Sequence, residues 1–273
     1  MQFNFKASEA TLDVIIPCYD AENTLERAIK SCLQQSAVDK IWLIDDASTD
    51  ATWQILQQWQ QRYPDKICID RLLENGGCAK ARNFAAMQSD ADFVAFLDAD
   101  DAYEPEALTA AKISLMQFDY LGLVRLRLKP VGLAQHYLDH PRFEYAWHQH
   151  MMTTAGNTIF RRNFFLACGG FPQHKLFCQF GGEDGALGLA TVQCTVVGTL
   201  FDDDIGVLHH YHEGLHGVRL LDAILFDKQP KQITPMHIAQ AEAVTAQIVQ
   251  RFISLQSAIQ TSKKGTMPLQ VMS

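Results

Sequence analysis

The sequence predicts an α/β fold: a mostly parallel sheet flanked by helices, with a C-terminal helical appendage. Three observations carry this. Over the first hundred residues, short β-branched runs alternate with stretches of helical period. Those runs stop at Pro17, Asp45 and Asp98, residues suited to the ligand-binding carboxyl edge of a parallel sheet. From His237 onward, apolar residues recur at alternating spacings of three and four, as in a long amphipathic helix.

Taken in order, Leu12 to Ile16 is a strand stopped by Pro17. Glu22 to Leu33 is a helix with Leu25, Ala28, Ile29, Cys32 and Leu33 on one face. Ile41 to Ile44 is the second strand, and Trp53, Leu56 and Trp59 mark the second helix. Ile67 to Leu72 is the third strand, and Cys78 to Gln88 is a helix opened by Gly76 and Gly77. Phe93 to Leu97 is the fourth strand. Four such alternations require right-handed crossovers and a parallel sheet. Further on, Tyr120 to Leu128, Thr154 to Phe160 and Thr195 to Phe201 read as strands, and Glu183 to Ala190 as a short helix. Leu133 to Met152, rich in His, Tyr and Trp, reads as an irregular excursion, and Thr261 to Ser273 as a loose tail. The division expected is 1–232 for the main domain, with 12–101 and 102–232 as its halves, and 233–273 for the appendage.

Composition narrows the function. Of 273 residues, 48 % are hydrophobic and 20 % charged, which excludes wholesale disorder. A net charge of −8 argues against a nucleic-acid binder. The seven cysteines form no C-x-x-C pair and read as reduced, buried thiols. No signal peptide and no run as long as a membrane span is visible, so a cytoplasmic location is expected, with peripheral attachment to the inner membrane face left open. The apolar stripe from Ala241 to Ile259 must be covered, in cis or by a second copy in a homodimer.

Three motifs carry chemistry. Asp98-Ala99-Asp100-Asp101 crowds three carboxylates at a strand end, which costs stability unless a cation neutralises them. Mg²⁺ or Mn²⁺ suits such oxygen ligands and shares them with substrate phosphates. The plainer reading is a solvated acidic turn capping a helix at Glu104. Asp45-Asp46-Ala47-Ser48-Thr49-Asp50 combines a helix cap with a carboxylate free to accept a hydrogen bond from a nucleobase. Asn75-Gly76-Gly77 opens a helix whose first turns hold Lys80 and Arg82, an arrangement that suits an anion. There is no G-x-G-x-x-G and no P-loop.

Together these residues resemble a family 2 glycosyltransferase with the GT-A fold, a Rossmann-like, mostly parallel sheet. The resemblance rests on Val14-Ile-Ile-Pro17-Cys-Tyr19-Asp20, Leu43-Ile-Asp45-Asp46-Ala-Ser48-Thr49-Asp50, Asn75-Gly76-Gly77-Cys-Ala-Lys-Ala-Arg82-Asn83 and Phe96-Leu-Asp98-Ala-Asp100-Asp101. Cys168-Gly169-Gly170-Phe171-Pro172 and Gly182-Glu183-Asp184 extend it in the same order. Asp20 stands where the family has Asn, and Ala47 where it has Gly. No Q-x-x-R-W motif is present, against a processive synthase.

The resemblance implies an inverting transfer of a sugar from a nucleotide diphosphate-sugar, a UDP-sugar favoured, to a hydroxyl acceptor in bacterial glycan or glycoconjugate synthesis. It makes Asp184 the general base. It assigns donor contacts to Pro17, Tyr19, Asp45, Asp46, Gly77, Arg82, Asp98 and Glu183. The metal, Mn²⁺ or Mg²⁺, falls to Asp98, Asp100 and His212, with His209, His210 and His216 competing for the histidine role. The rivals are a nucleotidyltransferase making the nucleotide-sugar and a nucleotide-sugar-binding subunit without chemistry. The first would need a Gly-rich, Arg-containing loop where Pro17-Cys18-Tyr19-Asp20 stands.

Overall fold

A computed structural model describes residues 10–202, 205–211, 216–228, 232–259 and 265–268. The chain begins with β1 (Leu12–Cys18), α1 (Leu25–Leu33), β2 (Lys40–Asp45), α2 (Thr52–Arg62), β3 (Ile67–Arg71), α3 (Cys78–Gln88) and β4 (Phe93–Phe96). It continues through β5 (Ala102–Tyr103), α4 (Ala107–Gln117), β6 (Leu121–Val131), α5 (Gln135–Leu138), α6 (Phe143–Thr153) and β7 (Thr158–Arg161). Then follow α7 (Arg162–Cys168), α8 (Lys175–Phe180), α9 (Glu183–Cys194), β8 (Val196–Leu200), β9 (Gly206–His210), α10 (His216–Phe226), α11 (Pro235–Ile259) and β10 (Gly265–Pro268).

The main path of the sheet runs β10-β8-β6-β7-β4-β1-β2-β3, with β9 paired to β6 and β5 to β9. β1 pairs in parallel with both β2 and β4. The chain therefore winds outward to β3 and returns across β1 to β4, which puts a topological switch point between β1 and β4. Ligands bind at such points, beyond the carboxyl ends of the strands. β7 is antiparallel to β4 and β6, so the sheet is mostly, not wholly, parallel.

β1 is buried on both faces, which is why its sequence is an unbroken apolar run. Val14 and Ile16 face the core that includes Leu25 and Ile29 of α1 and Leu108 of α4. Ile15 faces the other core, with Ala81 and Ala85 of α3, Phe165 of α7, Leu187 of α9 and Ile248 of α11. The alternation of β1 side chains thus joins two helical layers through one strand.

The expectations fail in four places. Leu133 to Met152 is not irregular; it holds α5 and most of α6, which buries Phe143, Ala146, Trp147, His150 and Met151 on one face. The expected strand from Thr154 begins only at Thr158, because Thr154 to Asn157 form a loop whose polar groups serve the site below. The tail is not loose throughout: residues 265–268 are β10, paired in parallel with β8 at the sheet edge. Glu104 caps no helix; it bonds to Lys129 and the Gly206 amide, and α4 starts at Ala107. The stripe on α11 is covered in cis over part of its length: Val244, Ile248 and Val249 are buried against the layer that includes α7 and α9, while Leu255 is exposed.

Candidate active site

Three loops leave the switch-point edge and are stitched together by short polar side chains. Asp20 follows β1 with a positive φ of 45°. Its Oδ1 accepts from the Thr49 amide at 2.8 Å and its own amide donates to Ser48 Oγ at 3.1 Å. Asp tolerates this left-handed backbone about as well as Asn. Ala47, at φ 59°, also sits where glycine is better suited. Pro17 lies near the end of β1, and Tyr19 beyond it is half exposed.

Asp45 and Asp46 are both buried. Asp45 accepts from the Ser48 amide and lies 2.8 Å from Arg71 Nε. Asp46 spans the glycine loop: Oδ1 accepts from the Gly76 amide at 2.9 Å and Oδ2 from the Gly77 amide at 2.7 Å. Gly77, at φ 83°, turns the chain into α3. Both carboxylates therefore shape the edge of the cleft through internal bonds.

One turn into α3, Arg82 is 2 % exposed and does not face solvent as its place in a helix N-terminal turn suggests. Its Nη1 donates to Asp184 Oδ1 at 2.9 Å and its Nη2 to Asp98 Oδ1. Glu183 Oε1 lies 4.0 Å from Nη1 and accepts from the Cys78 thiol at 2.8 Å. The guanidinium stacks 5.2 Å over the ring of Phe171. Phe171 is placed by Asn83, whose amide group exchanges two 2.8 Å hydrogen bonds with the Phe171 backbone. A side chain at Gly170 would collide with that amide, so the Gly-Gly-Phe turn is dictated by contact with α3. Arg82, which the resemblance assigns to the donor, is held here between two carboxylates.

Asp184 stands in the first turn of α9, where the helix dipole favours an anion. Its Oδ2 accepts from the Ala155 amide at 3.0 Å. Burial nevertheless raises its pKa to about 7, against the pull of Arg82, with Glu183 and Asp98 adding repulsion. A carboxyl poised there can give up and take a proton near neutrality.

Asp98-Ala99-Asp100-Asp101 is not one acidic cluster. Asp98 turns to Arg82, and the Asp100 carbonyl accepts from Arg27. Asp101 is fully buried and faces the other way: Oδ2 is 2.7 Å from His209 Nδ1, and Oδ1 accepts from the His210 amide at 2.9 Å. His209 Nε2 lies 3.3 Å from His150 Nε2, and His150 Nδ1 lies 3.1 Å from Thr154 Oγ1. Burial drives the His150 pKa down to about 3. Burial opposes charge on His209 too, but the bond to Asp101 prevails and raises its pKa. The bond to Asp101 thus favours the charged form of His209, while burial keeps His150 neutral between His209 and Thr154.

His209 is thus spoken for, and His210 Nδ1 lies 3.1 Å from the Leu208 carbonyl. His212, and the side chain of His216, lie outside the described residues. Among the described residues, no three His, Cys, Asp or Glu side chains form a metal-binding group by themselves. Asp98 and Asp100 offer the hard oxygen donors that fit Mg²⁺ or Mn²⁺, ions that fill their remaining positions with water and substrate phosphate. Of the cysteines, Cys178 is exposed and Cys68 and Cys78 are part-buried, so only four match the expectation of buried thiols. The sequence singles out neither His150 nor Arg125, because polar residues inside apolar stripes look like breaks in the stripe, and it offers His209 only as a rival metal-side histidine.

Comparison with known proteins bears on the family and the fold. The minor teichoic acid biosynthesis protein GgaA of Bacillus subtilis (strain 168) is 40 % identical over 101 residues, covering 35 % of this chain and 22 % of GgaA. The chain spans well under half the length of the curated relatives it matches. S. aureus TarS 1-349 in complex with UDP-GlcNAc superposes with a TM-score of 0.60 at 21 % identity, over 90 % of this chain and 74 % of that one. The mannosyltransferase PcManGT from Pyrobaculum calidifontis, in complex with GDP-Man and Mn²⁺, gives 0.60 at 19 %, over 93 % and 76 %. These likenesses establish the GT-A fold. The model of glycosyl transferase family 2 matches residues 13–169, more than half of the chain, and the protein belongs to that family.

Proposed function

We propose that this protein is an inverting glycosyltransferase that moves a sugar from a nucleotide diphosphate-sugar, a UDP-sugar favoured, to a hydroxyl acceptor in bacterial glycan synthesis. The observation that carries it is the Asp98–Arg82–Asp184 bridge at the switch point. It sets a candidate donor-side carboxylate and a candidate base on one guanidinium. Relatives named for teichoic acid and succinoglycan biosynthesis support the glycan setting.

In this reading Pro17 and Tyr19 flank the nucleoside, and Asp45 or Asp46 accepts from the base. Gly77 gives the donor close access to the backbone, and Glu183 borders the sugar. Asp98 would meet the ribose and, with Asp100 and His212, would hold Mn²⁺ or Mg²⁺. When bound, that ion supplies positive charge to the diphosphate. Arg82 serves the donor indirectly, by holding Asp98 and Asp184 in place. Asp184 takes the proton of the acceptor hydroxyl as its oxygen bonds to the anomeric carbon. The bond from that carbon to the diphosphate breaks, and the electron pair leaves with the nucleoside diphosphate.

A donor screen that reads free nucleoside diphosphate tests this. UDP release is expected with Mn²⁺ or Mg²⁺, lost in excess EDTA and restored by the metal. Asp100→Ala should stay folded and lose turnover. Full activity in EDTA overturns the metal-dependent reading, and release of pyrophosphate instead overturns sugar transfer.

A further inference from the structure

Arg125 of β6 heads the fully buried side chains by volume. Removing an ion from water is expensive, and an apolar side chain of similar size would fill the space without that cost. Among the described residues no carboxylate lies in salt-bridge contact with it. Its Nη1 instead donates to the Thr154 carbonyl at 2.8 Å and approaches the Met151 carbonyl at 3.2 Å and Asn157 Oδ1 at 3.3 Å. Its Nε is buried without a partner. Burial lowers its pKa to about 9, so it stays cationic at neutral pH, and the charge that opposes the shift is Asp184.

The carbonyls it gathers belong to the last turn of α6 and to the 154–157 loop that follows it, which meets both active-site carboxylates. Asn157 is fully buried and locked to β6: its Nδ2 donates to the Leu126 carbonyl at 2.7 Å, and its carbonyl accepts from the Leu126 amide at 2.8 Å. Between these anchors, Ala155 offers its amide to Asp184 Oδ2. Gly156 packs so close to Asp98 that an added Cβ would sit 3.2 Å from Oδ2. Arg125 also reaches the helix that carries Asp184, because a Cβ at Gly188 of α9 would lie 3.1 Å from its Nη2.

We propose that Arg125 is a positioning residue for Asp184: it ties the end of α6 to the 154–157 loop and places a buried positive charge behind the carboxylate. The inference rests on Asp184 being the general base. The groups facing Asp184 are Arg82 and Cys78 from α3, Glu183 on α9, Asp98 after β4, and Arg125 from β6. Arg125 is the member of this set that has no hydrogen bond to another and touches no expected substrate position.

The test uses the whole protein and three variants, Arg125→Met, Arg125→Lys and Asp184→Asn. The Asp184 carboxyl resonance, assigned by its loss in Asp184→Asn, is titrated by ¹³C NMR. UDP binding monitors the integrity of the donor site, and turnover is measured with the donor that the screen returns. In Arg125→Met the Asp184 midpoint should rise by about one pH unit or more, because the anion loses a cation. Arg125→Lys keeps the charge but not the fork. It should keep the midpoint near its original value while kcat falls about tenfold at constant donor KM. An unmoved midpoint in folded Arg125→Met overturns the proposal. If that variant does not fold, unchanged kcat in Arg125→Lys overturns it. Full turnover of Asp184→Asn would instead overturn the general-base reading, whatever the Arg125 variants do to the midpoint.

Discussion

Asp184 and Gly170 show how much a single residue decides here. A base must be deprotonated to act, and burial holds Asp184 near pH 7, not near 3.8. With saturating donor, kcat should therefore be low below pH 6, rise through about pH 7 and level off above it. Asp184→Asn should bind the donor nearly as before and lose about 10²–10⁴-fold in turnover. A pH profile without an acid limb near neutrality would place the base elsewhere. Gly170 tests the scaffold under Arg82. At φ 70°, with an added Cβ only 2.4 Å from Asn83 Oδ1, Gly170→Ala must adopt a strained backbone and break the Asn83–Phe171 pair. A loss of about 2–4 kcal/mol in stability is expected, measured by urea unfolding. Phe171→Leu would keep the turn and the Asn83 bonds and lose the Arg82 stacking and the ring contacts with Phe96 and Phe165, so its cost should be smaller.

At the scale of elements, β1 to β4 and α1 to α3 could be read because each strand centres on apolar residues and ends at a turn, and each helix carries apolar residues at helical spacing. Asp20, Asp46 and Gly77 could be located for the same reason: they sit where a strand ends and a turn must form. The 133–152 stretch could not. Its helix buries Phe143, Ala146, Trp147, His150 and Met151 at spacings of three, one, three and one, but His150 breaks the apolar pattern. Only a neutral, hydrogen-bonded imidazole makes that burial tolerable, and the partners His209 and Thr154 come from distant sequence or a different loop. Arg82 likewise gives no sign in the sequence of the bridge it makes. Its carboxylates lie 16 and 102 residues away, and no local pattern announces them. β10 escaped notice because four residues ending in proline are too few for periodicity, and only an edge position accepts them. The α11 stripe gives a prediction of its own. Ile248 is 3 % exposed and Ile253 is 44 % exposed on the same helix. Ile248→Ala should cost about 2–5 kcal/mol, and Ile253→Ala about 0.5 or less, by chemical denaturation. Equal effects, or concentration-dependent unfolding lost in Ile253→Ala, would mean that the outer face is also covered, by a second copy of the chain.

For the molecule as a whole, the buried titratable groups make stability depend on pH in opposing ways. Asp101 and Asp184 hold protons more tightly when folded, to about pH 6 and 7, so their contribution to stability falls as pH rises from about 4 through those values. His150 works in the other direction. Folded, it stays neutral down to about pH 3; unfolded, it takes a proton below about 6.5. The unfolded chain binds the extra proton between those values, so stability from this residue is lost as the solution is acidified below 6.5. At pH 5 the loss relative to neutral pH is about 2 kcal/mol for this one group. A variant without the imidazole isolates the effect from the carboxyls that oppose it. His150→Phe is expected to be less stable than the parent at pH 8, because Thr154 and His209 lose a partner. The gap should then narrow by about 2 kcal/mol as the pH falls to 5. Guanidinium unfolding of both proteins at several pH values reads this directly. A gap that stays constant with pH would mean that His150 is protonated in the folded protein. A gap that narrows ties acid sensitivity of the whole fold to the buried chain running from the Asp98–Asp101 turn, through two histidines, to the loop that holds Asp184.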